Sequence, residues 1–532
     1  MKALDLARMD HFGTAGSEDR PSMSQVCVGT ALDLTDAAGA VKCVHRALIG
    51  ERNPHDIGQM TEPTASRYGS FPKRTRNSTL SQIPLNTSDF TYLIKTTTIY
   101  PSRVPPLLYL TLVMSLAAGS SLTSSAFLRL DPLCNPGGMN QCAKALITYL
   151  VPENGESLVA NLRVADKVSV SPPTTYLGSG VRRALENPIV QYQQANLKLP
   201  AVVSKMFDPP EGQEPYSYVF DCTGELSYMR EDPVQIDFTA MIAHLIGTEA
   251  ARRGVKAYVR LTHPFYETSV EKTVHDEKDK LKPLGVRGTW WHETLRVLAS
   301  IKDLNLVILR IGAIYGPGNN WGIITPRIAL GPVYKHLGME MKYLWSGGLR
   351  LNTIHVDDVA GGMWACAQWM AERGRAQADA EAGEELHFFN DKARCAEVAF
   401  VPPPTDVDDS DSTQQTIGQL IAGMFGVKFG FHGFFMNTLA KVDLDAMIQD
   451  INDMHVSTWF TLCQQSTPPI PPTGPISLFN EAHSFGMHSI AYSNAKFKKA
   501  IPYTLMHPLF NRKEVEDTIE SFRAEGNWPN NC

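Results

Sequence analysis

From residue 137 onward the chain alternates between short apolar segments and longer segments with helical spacing, and this alternation constrains the fold more than any other feature. Strand-like apolar runs occupy residues 162–165, 216–220, 257–261 and 306–311. Helical patterns occupy residues 144–151, 234–253 and 290–301, and the second of these stops at a glycine, as helices often do. Strands separated by helices of this length indicate βαβ units, and therefore an α/β fold built on a parallel sheet.

The first 130 residues have a different texture, rich in Ser, Thr and Pro and without sustained periodicity. Their charge-free run at 104–128 has a continuously apolar part of roughly a dozen residues, shorter than the ~20 that a bilayer crossing needs. We therefore expect a poorly ordered, irregular extension over 1–130 and no membrane span. An α/β domain is expected over 131–315, and a mixed part that returns to its core over 316–532.

Charge and cysteine usage exclude several classes of protein. Lys and Arg number 49 against 55 Asp and Glu, a balance of −6 that argues against a nucleic-acid-binding surface. The nine cysteines contain no C-x-x-C pair, which argues against a zinc ribbon or a dense disulfide framework. The sequence starts without the apolar core of a signal peptide, and we expect a cytoplasmic protein.

A glycine-rich turn precedes the first predicted helix. Gly137, Gly138 and Asn140 lie where a turn at a helix N-terminus lets backbone N–H groups approach a pyrophosphate. Asp166 follows the next strand, where an acid can accept hydrogen bonds from an adenosine ribose. Lys167 beside it leaves NAD and NADP both open. Taken alone, the turn favours an ordinary turn over a cofactor-binding one, because Asn140 and Ala143 stand where such motifs have their second and third glycines.

Two later segments, LRIGAIYGP at 309–317 and TIHVDDVA at 353–360, together resemble the extended short-chain dehydrogenase/reductase family of NAD(P)-dependent epimerases and dehydratases. The resemblance covers about residues 135 to 530. It implies a Rossmann-type doubly wound parallel sheet with a smaller C-terminal α/β portion over the substrate. It also implies NAD as cofactor, with NADP open, and contacts from Gly137, Gly138, Asn140, Asp166, Asn196, Leu197, Cys222, Thr223 and Gly224.

The chain departs from this family where the chemistry should lie. The family uses a Tyr base with a Lys four residues later, and the natural register places Trp290 and Thr294 at these positions. Neither side chain can act as a base at neutral pH. Thr262 matches the family's catalytic Ser/Thr, and His292 is a candidate substitute base, although it can equally pack at a helix end. We assign no metal.

Two prolines interrupt the place where the first strand should run into the glycine turn, at Pro132 and Pro136. Proline cannot donate to a sheet ladder. We therefore expect that the strand comes from residues 126–130 with a detour, or that it is missing. We hypothesise that residues before about 136 did not evolve with this domain. The proline-rich stretch 399–413 is predicted to be a loop.

Three functions remain open at this point. The first is an NAD(P)-dependent oxidoreductase or epimerase that acts on a sugar nucleotide or similar small carbinol with non-standard acid/base groups. The second is a non-catalytic NAD(P)-binding regulatory or scaffold protein. The third keeps the fold and has lost the cofactor. Because many relatives dimerise through the helix that here carries Trp290, a homodimer is expected.

Overall fold

A computed structural model describes residues 132–532, except 269–273, 388–403, 408–411, 472–473 and 488. The strands are β1 Leu133–Pro136, β2 Leu162–Asp166, β3 Val190–Gln194, β4 Tyr218–Asp221, β5 Ala257–Thr262, β6 Tyr266–Glu267, β7 Lys282–Pro283, β8 Leu306–Ile311, β9 Ala313–Tyr315, β10 Met341–Tyr343, β11 Thr353–His355, β12 Pro404–Val407 and β13 Phe429–Phe431.

The α-helices are α1 Gln141–Leu150, α2 Ser179–Glu186, α3 Pro200–Met206, α4 Asp232–Gln235, α5 Ile242–Arg253, α6 Gly285–Ala299, α7 Ile324–Leu337, α8 Val356–Arg373, α9 Arg375–Ala382, α10 Gln414–Met424, α11 Phe434–Val442, α12 Leu444–Gln465, α13 Ala495–Ala500 and α14 Arg512–Ala524. A π-helical turn, Ile236–Met241, joins α4 to α5, so the long helix predicted over 234–253 is one continuous helical segment. It ends at Gly254 in the left-handed conformation.

Seven strands form one parallel sheet in the order β3-β2-β1-β4-β5-β8-β12. This confirms the predicted α/β fold with a Rossmann-type, doubly wound parallel sheet. The strand order reverses between β1 and β4, and the turns that follow these two strands meet at the carboxyl edge of the sheet. Ligands of such sheets bind in the crevice at this reversal.

Three hydrophobic clusters organise the rest of the described chain. The first lies on one face of the sheet, where α1 and α8 pack together, and the second lies on the other face against α3, α5 and α6. Strand residues alternate between these two clusters, as in Leu133 and Cys134, because successive side chains point to opposite faces. The third cluster joins α7, α10, α12 and α14 into a C-terminal lobe.

The first strand is present, and both alternatives expected for it are wrong: Leu133–Pro136 pairs with β2 along its whole length. The Leu133 N–H donates to the Asn161 carbonyl on the β2 side. Because successive residues of a strand alternate, the backbone nitrogens of residues 132, 134 and 136 face β4 instead. The ladder with β4 contains only Leu133 and Cys134. Neither Pro132 nor Pro136 therefore leaves a gap in a ladder.

The predicted loop at 399–413 is wrong in its described part, because Pro404–Val407 forms the edge strand β12 beside β8. Its proline is the first residue of an edge strand, where a missing N–H is tolerated. The N-terminal extension and its apolar run at 104–128 lie outside the described residues. None of the described helices has the length and apolar character that crossing a bilayer demands.

The turn after β1 supplies a test of the fold. Gly137 has φ +70°, and a Cβ added there would lie 2.8 Å from backbone atoms of Cys222 and Thr223. We expect Gly137→Ala to lower the free energy of unfolding by more than about 3 kcal/mol. The left-handed conformation of an alanine and the clash of its Cβ with the backbone each destabilise the folded state. Urea denaturation measures this.

Gly254→Ala is the matched control. Gly254 has φ +66° but nothing within 4 Å of an added Cβ, so only the left-handed conformation costs, about 1–2 kcal/mol. Equal losses in the two variants would contradict the close approach of β1's turn to β4's turn.

Candidate functional site

The glycine turn brings the backbones of three strands together. Gly137 approaches the turn after β4, and Gly138 lies against β2, where an added Cβ would meet Val164 Cγ1 at 2.3 Å. Any side chain at either position would push the strands apart. The turn therefore has the close backbone packing that a dinucleotide-binding turn requires.

Asn140 stands at the position of the motif's second glycine and makes two side-chain hydrogen bonds there. It is the N-cap of α1, where its Oδ1 accepts the Ala143 N–H at 2.9 Å, and its Nδ2 donates to the Cys222 carbonyl. Asp166 lies at the end of β2 and accepts the Met139 N–H at 3.0 Å and the Lys167 N–H at 2.6 Å. The predicted acid thus faces the glycine turn directly.

The remaining predicted cofactor residues lie on two neighbouring turns. Asn196 is exposed after β3, where its Oδ1 accepts the Lys198 N–H, and Leu197 beside it is buried. Cys222 and Thr223 are buried after β4, and Gly224 follows with φ +140°. The turns after β1, β2 and β4 are therefore connected by direct contacts, while Asn196 and Leu197 lie one strand further out.

The two tryptophans of α6 have different surroundings, and the register that places Trp290 and Thr294 at the family's Tyr and Lys positions stays a prediction. Trp290 points away from the sheet edge and donates its indole N–H to Asp232 Oδ1 at 2.7 Å. Trp291, buried to 3% exposure, packs instead against the turn after β4. Thr294 is buried and donates to the Trp290 carbonyl within the helix. Neither Trp290 with Thr294 nor Trp291 with Leu295 forms a Tyr–Lys pair.

The two predicted catalytic residues are connected only through others. Thr262 ends β5, is buried, and pairs with Arg310 on β8. The Arg310 guanidinium lies 4.9 Å from the ring centroid of Tyr266, whose hydroxyl hydrogen-bonds His292 Nδ1 at 3.1 Å. Arg310, Tyr266 and His292 are therefore in contact between β8 and α6, while Thr262 adjoins them through the strand pairing alone.

His292 has both ring nitrogens engaged, with Nε2 2.6 Å from the His387 carbonyl. The carbonyl can only accept, so Nε2 carries the proton and Nδ1 accepts the Tyr266 hydroxyl. Burial, followed by nearby Arg310 and Arg296, lowers the pKa of His292 to about 4. These contacts favour the packing role of His292 over the base role.

Asp357 and Asp358 begin α8. The Asp358 carboxylate accepts hydrogen bonds from the Tyr503 hydroxyl and from the backbone N–H groups of Met506 and His507. These hydrogen bonds hold the loop that precedes α14 against the N-terminus of α8, where a carboxylate is favoured.

Close by, His355, His507 and Glu514 place ligand-type atoms within 4.8 Å of one another. His355 Nδ1 accepts the Asp357 N–H, so the neutral ring carries its proton on Nε2, the atom that faces Glu514 at 3.9 Å. A metal at Nε2 would need that proton removed, and we assign none here.

A cavity of about 120 Å³ in the C-terminal lobe begins at the segment that follows β5. Its aromatic lining includes Phe265, Tyr334, Tyr343, Trp345 and Phe485, and its cationic lining consists of Arg287, Arg327, Lys342 and Arg350. Two histidines, His432 and His455, also line it, and burial lowers the pKa of both. No Asp or Glu side chain is among its described lining residues. Sequence reasoning missed this site, because its cations come from separate elements with no common spacing.

The cations of this cavity differ in how they are satisfied. Arg287 donates to the Leu226 carbonyl at 2.6 Å, and Arg350 donates to Asn352 Oδ1 at 3.1 Å. Arg327 is buried, and among the described residues its Nη1 has no hydrogen-bond partner. Its charge lies 5.4 Å from the ring centroid of Tyr343, and burial lowers its pKa. A buried cation in this state destabilises the fold unless an anion neutralises it.

No protein-family model matches this chain, and no curated protein matches it. Solved structures with a similar fold include WbmG of Bordetella bronchiseptica in complex with NAD and UDP, 10% identical with a TM-score of 0.49 over 75% of this chain and 97% of that chain. Another is the UDP-glucose 4-epimerase of Thermotoga maritima with UDP-glucose, 14% identical with a TM-score of 0.46 over 74% and 99%. Similarity at this level says nothing about the chemistry of this chain.

The state of His292 can be tested through stability. A histidine whose pKa falls on folding stabilises the folded protein while neutral, and this contribution is lost as pH falls from 6.5 toward about 4. We expect His292→Gln to destabilise the protein less near pH 5 than near pH 7, by about 2 kcal/mol. Chemical denaturation at both pH values measures the difference.

His336→Gln, an exposed histidine near the end of α7, is the matched control and should change stability little at either pH. The same loss for His292→Gln at both pH values would mean that His292 is accessible to protons in the folded protein, as a general base must be.

Proposed function

We propose that the protein binds an NAD-type dinucleotide at the carboxyl edge of β1, β2 and β4. We also propose that it binds a phosphate-bearing sugar nucleotide in the arginine cavity, the cavity of the C-terminal lobe that Arg287, Arg327 and Arg350 line. This is the ligand pair of an epimerase/dehydratase-like protein. The observation that carries the proposal is Arg327, a buried cation whose Nη1 has no hydrogen-bond partner among the described residues, in a cavity whose described lining contains no carboxylate. A diphosphate would neutralise it.

The composition of the cavity supports a sugar nucleotide over a bare anion. Tyr334, Tyr343, Trp345 and Phe485 offer flat apolar surfaces on which a base or sugar ring can stack. Asn480 and Gln414 add amide groups that can hydrogen-bond a base edge or a hydroxyl. Cations, rings and amides together match a ligand that carries phosphate, ring and hydroxyl groups.

The dinucleotide part rests on the turn after β1. Gly137 and Gly138 leave no room for a Cβ, α1 begins immediately afterwards, and Asp166 ends the neighbouring strand. These residues would hold the pyrophosphate and the adenosine ribose. Asp166 already accepts the Met139 N–H, so the nucleotide must share or displace that contact.

A second candidate, a non-catalytic nucleotide-binding protein, is favoured by the state of the groups where a base is needed. Trp291 donates its indole N–H to the Glu225 carbonyl, Thr294 bonds within its helix, and His292 has both nitrogens engaged. A general base needs a lone pair within reach of the substrate. Nucleotide binding that controls shape or partners requires no such group.

Replacing Arg327 tests the cavity proposal. We expect Arg327→Met to weaken binding of UDP and UDP-glucose by about 10- to 100-fold, because a charge-assisted contact is lost. The same change should raise the free energy of unfolding without ligand, by on the order of 1 kcal/mol or more, because an uncompensated buried charge is removed. Titration calorimetry and urea denaturation measure the two effects.

Arg512→Met, at an exposed and ion-paired arginine of α14, is the control and should change neither quantity appreciably. Unchanged UDP binding in Arg327→Met, or a large loss of stability, would refute an anion-binding role for Arg327.

A further inference from the structure

The two halves of a dinucleotide need two separate spaces at the edge of this sheet. A nucleotide that binds where the strand order reverses places its pyrophosphate at the start of α1. One half then extends over the ends of β2 and β3, toward Asp166 and Asn196. The other half extends over the ends of β4 and β5, toward Gly224 and Thr262.

Trp291 occupies the second space. A Cβ added to Gly224 would lie 2.4 Å from Trp291 Cζ2, so the indole rests directly on the backbone that follows β4. The indole N–H donates to the Glu225 carbonyl at 3.0 Å, which fixes the ring in this position. The side chain is 3% exposed, so the surrounding protein covers almost all of the indole.

Neighbouring side chains hold the indole from the other sides. The His263 and Phe265 rings stack on each other, and each meets the indole edge-on, with centroids 5.2 Å and 5.5 Å away. The Arg260 guanidinium lies 5.0 Å from the indole ring, and it forms a buried ion pair with Asp221 at 2.8 Å. The carboxyl ends of β4 and β5 are thus covered by the protein's own aromatic side chains.

The first space is more open. Asp166 is half-buried, while Lys167 and Asn196 at the ends of β2 and β3 are exposed. The contrast lies within one sheet edge: the ends of β2 and β3 present polar groups to solvent, and the ends of β4 and β5 carry a packed aromatic cluster.

We infer that Trp291 limits the nucleotide site to the adenosine diphosphate part of its ligand, because the indole fills the space that a nicotinamide would take over β4 and β5. This rests on the proposed function, in that a nucleotide binds at the turn after β1. The ligand class is an adenine nucleotide with a diphosphate. Any group attached to the second phosphate, such as a nicotinamide ribose, lies outside the crevice at the sheet edge.

A ligand series on the full-length protein tests this inference. Titration calorimetry with ADP, ADP-ribose, NAD⁺ and NADH should give dissociation constants within about threefold of one another, since the contacts come from the shared part. The nicotinamide fluorescence of NADH should be unchanged on binding. NADH or NAD⁺ binding tenfold tighter than ADP-ribose, or enhanced NADH fluorescence, would overturn the inference while leaving the proposed dinucleotide site intact.

If none of the four ligands binds, the dinucleotide part of the proposed function fails, and this inference falls with it. That outcome has a different signature from tight, nicotinamide-dependent binding, so the two failures are distinguishable. Binding of UDP in the arginine cavity is measured separately and depends on neither outcome.

Removing the indole gives the converse test. Trp291→Ala should create a nicotinamide-sized space, so NADH binds at least tenfold tighter than ADP-ribose and its fluorescence rises. Trp290→Ala is the matched control, because that indole bonds to Asp232 away from this turn and its loss should leave the ligand series level. If Trp291→Ala does not fold, the series on the unaltered protein still decides the question.

Discussion

The fold depends on how closely three strand ends can approach one another. Because β1 lies between β2 and β4, the turn that leaves β1 must pass between its neighbours. Gly137 and Gly138 make this passage possible, one against the turn after β4 and the other against Val164. Asn140 then starts α1 and ties the turn to Cys222 with the same side chain. The crevice, the first helix and the candidate nucleotide site all follow from this contact.

Sequence periodicity predicted those elements that are buried on both faces. Strand β8 lies at the predicted residues 306–311, because a continuous apolar run flanked by helices has few other uses. Because they contain prolines, β1 and β12 were not predicted as strands. A sheet tolerates a proline where no neighbouring strand needs the missing N–H. That property is one of pairing and not of sequence. The cofactor contacts assigned from the glycine turn, from the acid after β2 and from the family resemblance stay predictions.

The cavity could not be predicted in the same way. Arg287, Arg327 and Arg350 lie on α6, on α7 and in the segment before β11, and only the packing of the lobe brings them to one space. One signal was available, namely an arginine inside the otherwise apolar start of α7, where a charge is costly unless something uses it. The different surroundings of Trp290 and Trp291 follow from helix geometry. Adjacent helical residues point about 100° apart, and the buried face of α6 passes through Trp291.

Two buried arginines differ in whether a carboxylate balances their charge. Arg260 lies 2.8 Å from the Asp221 carboxylate, to which the Tyr258 hydroxyl also donates, so its charge is balanced inside the sheet. Arg327 is equally enclosed but faces a cavity without a carboxylate among its described lining residues. A charge that the fold balances adds rigidity, whereas an unbalanced one lowers stability until an anion arrives. The unbalanced charge is the stronger indicator of function, because folding alone gives no reason to keep it.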